Sequence, residues 1–265
     1  MTKPTAEEIH ERTGRYFSDS GLERLQRATV SVIGAGGVGT EVCKNLVMLG
    51  IARLLVCDPD KVSASNLNRG VFFRPGDVDR MAKVHAVKRG LKALGLSTQV
   101  DAFARPVQEM DEAFWNADLM VCCVDNDTAR LWANLQMLGA ERSIPCVSGA
   151  VGRGVVEVKT LVPGRTACLC CGWSKEHYEE LIRENVAEHC DEFFMSTRTS
   201  FPQISPLSSL VGAVMTYRVA SLLSEGVDAV QHGRLNQIDL ENSSRSFDGE
   251  FCRNRACVEP LCRAE

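Results

Sequence analysis

A glycine-rich loop between two apolar runs constrains the fold of this chain more than any other feature. The run Val30–Ile33 leads into Gly34–Gly39 (GAGGVG), a helical pattern of apolar residues follows, and Leu54–Cys57 is a second apolar run. This order predicts a strand, loop, helix and strand, with glycines that allow a tight turn and bring backbone N–H groups close to phosphate oxygens. Asp58, which follows the second run, is placed to accept hydrogen bonds from ribose hydroxyls. The unit predicts a nucleotide site, for which NAD and FAD are the commonest ligands.

Alternating apolar runs and helical patterns continue along the chain and predict an α/β fold, Rossmann-like and doubly wound, with a mostly parallel sheet. One or two short helices within Thr5–Leu25 are expected to form a cap before the first strand. Gly154–Val162 alternates as an antiparallel strand does, so an antiparallel C-terminal extension is expected. The other predicted elements are helices at Lys83–Leu94, Glu109–Trp115, Thr128–Leu138, Lys175–Glu188 and Pro206–Ser224, and strands at Gln99–Phe103, Leu119–Val124, Pro145–Gly149 and, as the last strand, Asn236–Leu240.

The predicted organisation has three parts that form one continuous domain. They are an N-terminal helical cap (1–27), a nucleotide-binding α/β half (28–150), and a second half with a crossover loop and a cysteine-rich tail (151–265). The boundary near Gly149 rests on the change to an alternating pattern after that residue.

Charge and cysteine content narrow the class of protein. Lys and Arg number 30 and Asp and Glu 34, a net charge of −4 without long runs of either sign, so nucleic acid is not expected as a partner. The N-terminus is too polar for a secretory signal, and the most apolar late segment, Pro206–Ser224, is short and carries Arg218, so no membrane association is expected. The chain has 12 cysteines. Without a secretory signal they predict free thiols and a cytoplasmic location rather than a disulfide framework.

Polar side chains recur where the predicted strands end, and together they suit a phosphate chain. Arginine and lysine neutralise phosphate charge as pyrophosphate leaves, and a carboxylate such as Asp125 can hold Mg²⁺. A hydride-transfer site would not need so many phosphate-directed groups. Taken singly, Asp60 and Asn66 could equally be ordinary turn or helix-capping residues.

Several motifs, in their order and spacing, resemble those of the MoeB/ThiF family, which is related to the ubiquitin-activating enzymes. The resemblance extends from about Arg12 to Cys262 and makes NAD the less favoured nucleotide. The motifs that carry it are Gly34–Gly39, Asp58-Pro-Asp60, Ser65-Asn66-Leu67-x-Arg69, Lys83, Val124-Asp125-Asn126, Val147-Ser148-Gly149-Ala150 and Cys168-x-x-Cys171.

The resemblance implies ATP-dependent adenylation of the C-terminal carboxylate of a small ubiquitin-like or sulfur-carrier protein that ends in Gly-Gly. Pyrophosphate would leave with Mg²⁺, and the product would serve thiocarboxylate formation or conjugation. The glycines implied in ATP binding are Gly34, Gly36, Gly37 and Gly39. Asp58 resembles the ribose-binding acid, Asn66, Arg69 and Lys83 the phosphate-binding set, and Asp125 the acid associated with Mg²⁺. Asp60 is counted among the cofactor-binding residues, and the half 151–265 would bind the carrier.

The family also implies a homodimer, because an N-terminal arginine reaches the ATP of the neighbouring protomer. Arg15, in ERTGRYF, is the best match, and Arg12 is the second. The surrounding sequence departs from the RYxRQ pattern that the family usually has. A separate protein would have to donate any sulfur, since 265 residues leave no room for a second catalytic domain.

The late cysteines suggest a structural zinc site and a reactive thiol. Cys168 and Cys171 have standard zinc-ligand spacing, and Cys257 matches the family's second pair, with Cys262 chosen over Cys252 as its partner. Such a site would clip the tail back onto the loop. Cys190 lies where relatives carry a cysteine that joins covalently to the carrier or takes part in sulfur transfer.

Three alternatives remain at this point. Within the same fold, the adenylated group could be the C-terminus of a ribosomal peptide or a tRNA-attached carboxylate. The glycine loop alone would also suit an NAD-dependent oxidoreductase. A nucleotide-bound scaffold that recruits partners without turnover would bind ATP but release no pyrophosphate.

Overall fold

A computed structural model describes residues 4–139, 144–187, 203–228, 233–242, 246–251 and 253–263. Within these ranges the strands are β1 Thr29–Ile33, β2 Arg53–Cys57, β3 Gln99–Phe103, β4 Leu119–Cys122, β5 Cys146–Val151, β6 Val155–Leu161, β7 Arg234–Asp239 and β8 Phe247–Glu250. They form one sheet in the order β3-β2-β1-β4-β5-β6-β7-β8. The first five strands pair in parallel, and β6, β7 and β8 extend the sheet by antiparallel pairing.

Helices cover both faces of this sheet, as the doubly wound prediction requires. In the described part of the chain they are α1 Ala6–Phe17, α2 Asp19–Leu25, α3 Gly37–Leu49, α4 Lys83–Lys92, α5 Glu112–Trp115, α6 Asp127–Gly139, α7 Lys175–Ala187, α8 Ser205–Glu225 and α9 Pro260–Arg263. Short 3₁₀ turns lie at Ala64–Asn66, Pro75–Asp77, Val107–Glu109 and Leu169–Gly172.

The two faces of the sheet pack against separate apolar clusters. Successive side chains of a strand point to opposite faces, so Leu119 and Val121 of β4 join the cluster under α3 and α8. Met120 and Cys122 join the cluster under α6 and the cysteine-rich tail. All four side chains are buried, which explains why β4 reads as a continuous apolar run rather than an alternating one.

Helix α8 is the central support of one face of the sheet. It packs against α3, α2, β5 and β6. At Gly212 the approach to α3 is so close that a Cβ atom would lie 2.7 Å from the Cβ of Glu41. Among the described helices, α8 is long and apolar enough to cross a membrane, and 61% of its most apolar window is buried inside the protein. Such burial is typical of a core helix.

Two predicted elements differ from the structure. The helix expected at Glu109–Trp115 is two pieces, the turn Val107–Glu109 and α5, because Asp111 begins a new helix by accepting a hydrogen bond from the N–H of Phe114 at 3.3 Å. The strand expected to be last, β7, is followed by β8, whose FDGE sequence lacks the apolar alternation of a half-buried strand.

The remaining elements lie where the sequence predicted them, to within a few residues at their ends. The strand predicted as Leu119–Val124 ends at Cys122, and the Pro145–Gly149 strand runs on to Val151. Residue 150, the predicted boundary between the two halves, falls inside β5, and one sheet continues through it. The three-part division stays a prediction.

Candidate nucleotide site and cysteine cluster

The glycine loop turns tightly between β1 and α3. Gly34 has a φ of +94°, a conformation that favours glycine, and a Cβ at Gly39 would lie 2.0 Å from the carbonyl oxygen of Gly34. By contrast, a Cβ at Gly36 would meet nothing within 4 Å. The first and last glycines therefore close the turn, while Gly36 leaves space at the N-terminus of α3, where unpaired backbone N–H groups favour an anion.

A cleft of about 1240 Å³ opens in front of this loop, at the carboxyl ends of the parallel strands. This is where ligands bind in open α/β sheets. The structure brings nearly all the predicted nucleotide-site residues to its wall; Gly39 lies behind the loop instead. The predicted residues that line it are Gly34, Gly36, Gly37, Asp58, Asp60, Asn66, Arg69, Lys83 and Asp125.

A lysine between two carboxylates forms one side of the cleft. Lys83 Nζ lies 2.7 Å from Asp60 Oδ2 and 3.8 Å from Asp58 Oδ1. Asp58 is buried and also accepts hydrogen bonds from the N–H groups of Ala35, at 2.7 Å, and Asp60, at 2.9 Å. Burial raises the pKa of the Asp58 carboxyl, and the charge of Lys83 opposes that rise. Asp58 thus ties the glycine loop to β2, in addition to its predicted contact with ribose.

Asn66 and Arg69 approach the cleft from the polar segment after β2. Asn66 is buried, and its Oδ1 accepts a hydrogen bond from Ser63 N–H at 3.0 Å, which closes the turn Ala64–Asn66. The guanidinium of Arg69 donates to the carbonyl of Ser65 and to Asn68 Oδ1. Its aliphatic stem covers Gly37, where a Cβ would lie 2.9 Å from Arg69 Cγ. Arg69 is therefore held against the N-terminus of α3.

Asp125 lies just past β4, exposed and facing the cleft. Its neighbour Asn126 caps α6 by accepting a hydrogen bond from Ala129 N–H at 2.8 Å. One turn later on α6, Arg130 also lines the cleft and binds the strand ends on either side. Arg130 was not predicted as part of the site, although its position four residues after Asn126 places it on the same face of the helix.

The cleft continues beyond the glycine loop to a wall built by β6 and α7. Glu157, Lys159, Trp173 and His177 line this end. His177 Nε2 lies 3.0 Å from Asp127 Oδ2 and so joins α7 to the start of α6. None of these residues was predicted as part of the site. They come to the cleft because segments distant in the sequence pack together, and local sequence patterns do not reveal such packing.

One predicted catalytic residue lies away from this cleft, and another falls outside the residues that the structure describes. Arg15 lies on α1, where its side chain is 77% exposed and pairs with Glu11 at 2.5 Å; neither Arg15 nor Arg12 lines the cleft. Cys190 lies outside the described residues. A role for either arginine at a nucleotide would require a second copy of the chain.

The structure groups the four cysteines predicted to bind zinc. Cys171 Sγ lies 3.8 Å from Cys168 Sγ and 3.6 Å from the Sγ atoms of Cys257 and Cys262, and all four sulfurs lie within 4.8 Å of one another. A tetrahedral zinc with Zn–S bonds of about 2.3 Å separates its sulfurs by about 3.8 Å. The buried cluster therefore fits zinc. The alternative ligand, Cys252, lies outside the described residues.

The C-terminal tail is also tied down by hydrogen bonds that need no metal. Tyr178 of α7 donates to Glu259 Oε2 at 2.9 Å, and Asn254 Nδ2 donates to the carbonyl of Cys171 at 3.2 Å. Glu259 is buried. Burial, reinforced by this carboxylate, raises the pKa of Tyr178. The tail thus supports the helix that forms the far wall of the cleft.

A glycine loop, a phosphate-directed set of polar residues and a mixed doubly wound sheet define a nucleotide-binding α/β protein. Sequence comparison makes the class specific: the model of the ThiF family matches residues 10–258. The chain belongs to the ThiF family.

Curated relatives include activating enzymes of ubiquitin-like modifiers. The chain is 33% identical over 182 residues to the Nedd8-activating enzyme E1 catalytic subunit of Drosophila melanogaster, covering 62% of this chain and 40% of the relative. It is 32% identical over 163 residues to ubiquitin-like modifier-activating enzyme 5 of Caenorhabditis elegans, covering 56% of this chain and 38% of the relative. The matched part is thus about two fifths of these relatives' length.

Among solved structures, the fold is similar to MccB of E. coli and to PaaA. The complex of MccB with AMPCPP and MccA matches with a TM-score of 0.74 at 20% identity, over 95% of this chain and 74% of MccB. PaaA matches with a TM-score of 0.72 at 21% identity, over 95% of this chain and 86% of PaaA. These likenesses support the fold.

Proposed function

We propose that this chain activates a C-terminal carboxylate by ATP-dependent adenylation. The observation that carries the proposal is the convergence of Arg69, Lys83 and Asp125 on one cleft in front of the glycine loop. An oxidoreductase would not need this set of charges. Membership of the ThiF family and the activating enzymes among its relatives support the same reaction.

In this reaction a carboxylate oxygen of the substrate attacks the α-phosphorus of ATP. The new bond joins the carboxylate to the adenylyl group, the bond from the α-phosphorus to the bridging oxygen breaks, and pyrophosphate leaves with that electron pair. Arg69 and Lys83 would stabilise the negative charge that grows on pyrophosphate. Lys83 would exchange its contact with Asp60 for a phosphate oxygen when ATP binds.

Mg²⁺ would supply additional positive charge for the departing pyrophosphate, and Asp125 is the residue that would hold it. The side chain is suited to this because Mg²⁺ prefers carboxylate and phosphate oxygens. Asp125 is exposed within the cleft. Asp58 would accept hydrogen bonds from the ribose, as the family resemblance implies.

The proposed substrate is a small ubiquitin-like carrier protein that ends in Gly-Gly. The names of the curated relatives refer to Nedd8 and ubiquitin-like modifiers, which supports this choice. The second candidate is the C-terminus of a ribosomal peptide, and the likeness of the fold to MccB in its complex with MccA favours it over a tRNA-attached carboxylate. The far end of the cleft, between β6 and α7, would take the last residues of either substrate.

We also propose a homodimer in which Arg15 serves the neighbouring protomer. Arg15 is exposed and does not line the cleft of its own chain. Beside it, Tyr16 and Tyr217 contact each other edge to face with ring centroids 6.5 Å apart, and both are exposed. An exposed aromatic pair next to the arginine is suited to an interface between copies.

Zinc and Cys190 complete the proposal. Zinc, held by the cysteine cluster, would fix the tail onto the turn Leu169–Gly172. Cys190 would take the activated carrier or assist sulfur transfer after adenylation, with a separate protein as sulfur donor for thiocarboxylate formation. A cytoplasmic location, where thiols stay reduced, is part of the same proposal.

The experiment that tests the function is ATP–pyrophosphate exchange by the purified chain with Mg²⁺ and a panel of small proteins ending in Gly-Gly. Exchange that requires one carrier and is lost when its final glycine is removed would support adenylation and identify the substrate. Exchange only with peptides would move the substrate to the second candidate. ATP binding without exchange for any substrate would favour the scaffold alternative, and binding of NAD in preference to ATP would favour an oxidoreductase.

A further inference from the structure

Arg130 connects the carboxyl ends of two neighbouring parallel strands in front of the cleft. Its NH2 group donates to the carbonyl oxygens of Val124, at 2.7 Å, and Gly149, at 3.1 Å. Its NH1 group donates to Ser148 Oγ at 2.8 Å. One guanidinium is therefore bonded to the segment after β4 and to β5 at the same time.

These contacts lie where the pairing of the two strands stops. The last pair between β4 and β5 is Cys122 with Ser148. Val124 lies beyond this pair, so no strand hydrogen bond to β5 holds it. Beyond this pair, the hydrogen bonds of Arg130 join the segment after β4 to the end of β5.

The backbone that Arg130 holds carries parts of the proposed active site. Val124 directly precedes Asp125, the residue proposed to hold Mg²⁺. Gly149 and the next residue, Ala150, line the cleft. A shift of the Val124 carbonyl would therefore move the Asp125 carboxylate, and a shift of the Gly149 carbonyl would move the wall of the cleft.

We infer that Arg130 is a positioning residue, which sets the place of Asp125 relative to the cleft wall at Gly149 by bridging the two strand ends. The inference rests on the proposed function. Arg130 acts through Val124 and Gly149, so its effect falls on the metal-dependent part of nucleotide binding and on turnover. The planar fork of an arginine spans acceptors on two strands, which the single ammonium of a lysine cannot reproduce.

The test compares wild type with Arg130→Lys, which keeps the charge and loses the fork. ATP affinity is measured across a range of Mg²⁺ concentrations, and kcat and the KM for ATP are measured by pyrophosphate exchange. We expect Mg²⁺ half-saturation to rise several-fold and kcat to fall by about 10- to 100-fold, the scale of a displacement of about 1 Å in an active site. Metal-free ATP affinity is expected to change less than about two-fold. Arg27→Lys, at an 81% exposed side chain, is the matched control.

Two outcomes would overturn the inference. One is an unchanged Mg²⁺ dependence in Arg130→Lys. The other is a variant with weaker metal-free ATP affinity, a higher Mg²⁺ half-saturation and a lower melting temperature together, which would indicate a structural role only. Absence of exchange in the wild type would contradict the proposed function, but the Mg²⁺ dependence of ATP binding would still decide the inference, because that measurement needs no turnover.

Discussion

Lys83 links the carboxylates of Asp58 and Asp60 to the proposed phosphate site. It begins α4, its side chain is 12% exposed, and it lies between Asp58 and Asp60. Without a ligand it compensates two carboxylates. With ATP bound it would also meet phosphate, so its removal affects both the charge balance of the cleft and the reaction.

We predict that Lys83→Met lowers the rate of pyrophosphate exchange by about 100- to 1000-fold, the scale found when one electrostatic stabiliser of a transition state is lost. Lys83→Arg should retain part of the activity because the positive charge remains. Lys88→Met, at an exposed position on the same helix, is the control and should exchange at the wild-type rate. Equal activity of Lys83→Met and wild type would remove Lys83 from the reaction.

At this scale the sequence pointed to nine residues that the structure brings to the wall of the cleft, but not to the contacts that they make. Asp58, Asn66 and Lys83 were recognised because they follow a strand or match a motif. The hydrogen bond from Ala35 to Asp58, and the bridge that Arg130 makes to Gly149, join residues distant in the sequence. Such contacts depend on the alignment of β1, β2, β4 and β5 in the folded sheet.

The loop between β1 and α3 is the element with the strictest steric requirements. Gly39 has no room for a side chain, because a Cβ would lie 2.0 Å from the carbonyl oxygen of Gly34. Gly36 has room, but that room faces the cleft. Gly39 is therefore required by the fold of the loop, whereas Gly36 leaves space for the proposed phosphates.

We predict that Gly39→Ala destabilises the fold by at least about 1–3 kcal/mol, because the added methyl group displaces backbone. Gly36→Ala should keep nearly the wild-type stability and weaken ATP binding, since its methyl group enters the space for the phosphates. Urea denaturation and ATP titration of both variants separate the two effects. Wild-type ATP affinity in Gly36→Ala would contradict the assignment of this loop to phosphate.

The elements that the sequence predicted well are those that bury apolar residues in a regular pattern. Strands β1, β2 and β3 and helices α3, α4 and α8 belong to this group. Strand β8 was missed because it is an edge strand with polar, exposed residues, and the ion pair of Arg234 with Asp248 at 2.6 Å supports its pairing with β7. Its position depends on β7, and no local pattern specifies it.

On the scale of the whole molecule, the cysteine cluster joins the C-terminal tail to the middle of the chain. Cys168 and Cys171 lie in a turn that packs on α6, and Cys257 and Cys262 belong to the tail. Hydrogen bonding with the Cys168 side chain lowers the pKa of the Cys171 thiol, and the N–H of Cys168 also donates to Cys171 Sγ at 3.3 Å. A thiolate is the form of cysteine that binds a metal. The tail in turn contacts α7, which lines the cleft.

We predict about one zinc ion per chain, measured by elemental analysis of protein purified without added chelator. Cys262→Ser and Cys168→Ser should lose zinc and lower the melting temperature. Cys170→Ala is the matched control, because Cys170 is buried beside the same pair and does not belong to the cluster. Full zinc content in Cys262→Ser would contradict the ligand assignment and would make Cys252 the alternative to test.

The proposed dimer predicts that two inactive variants restore each other when mixed. Arg15→Ala lacks the arginine that acts in the neighbouring protomer, and Asp125→Asn lacks the carboxylate of its own cleft. A mixed dimer has one cleft with both wild-type residues, so pyrophosphate exchange should reappear after the variants are mixed and allowed to exchange subunits. Arg15→Ala mixed with the double variant Arg15→Ala/Asp125→Asn is the control pair and should stay inactive, because neither protomer supplies the arginine. A monomer by sedimentation, or no recovery on mixing, would contradict the shared site.

Adenylation is tested by following the phosphorus atoms of ATP. The chain is incubated with Mg²⁺, a carrier that supports exchange, and ATP labelled at either the α- or the γ-phosphorus, and the carrier is then isolated. If the chain adenylates the carrier, the carrier will take up label from the α-phosphorus only, and the γ label will be released in pyrophosphate. Transfer of the γ label to the carrier would contradict adenylation. So would the absence of the α label from both the carrier and released AMP while ATP is bound.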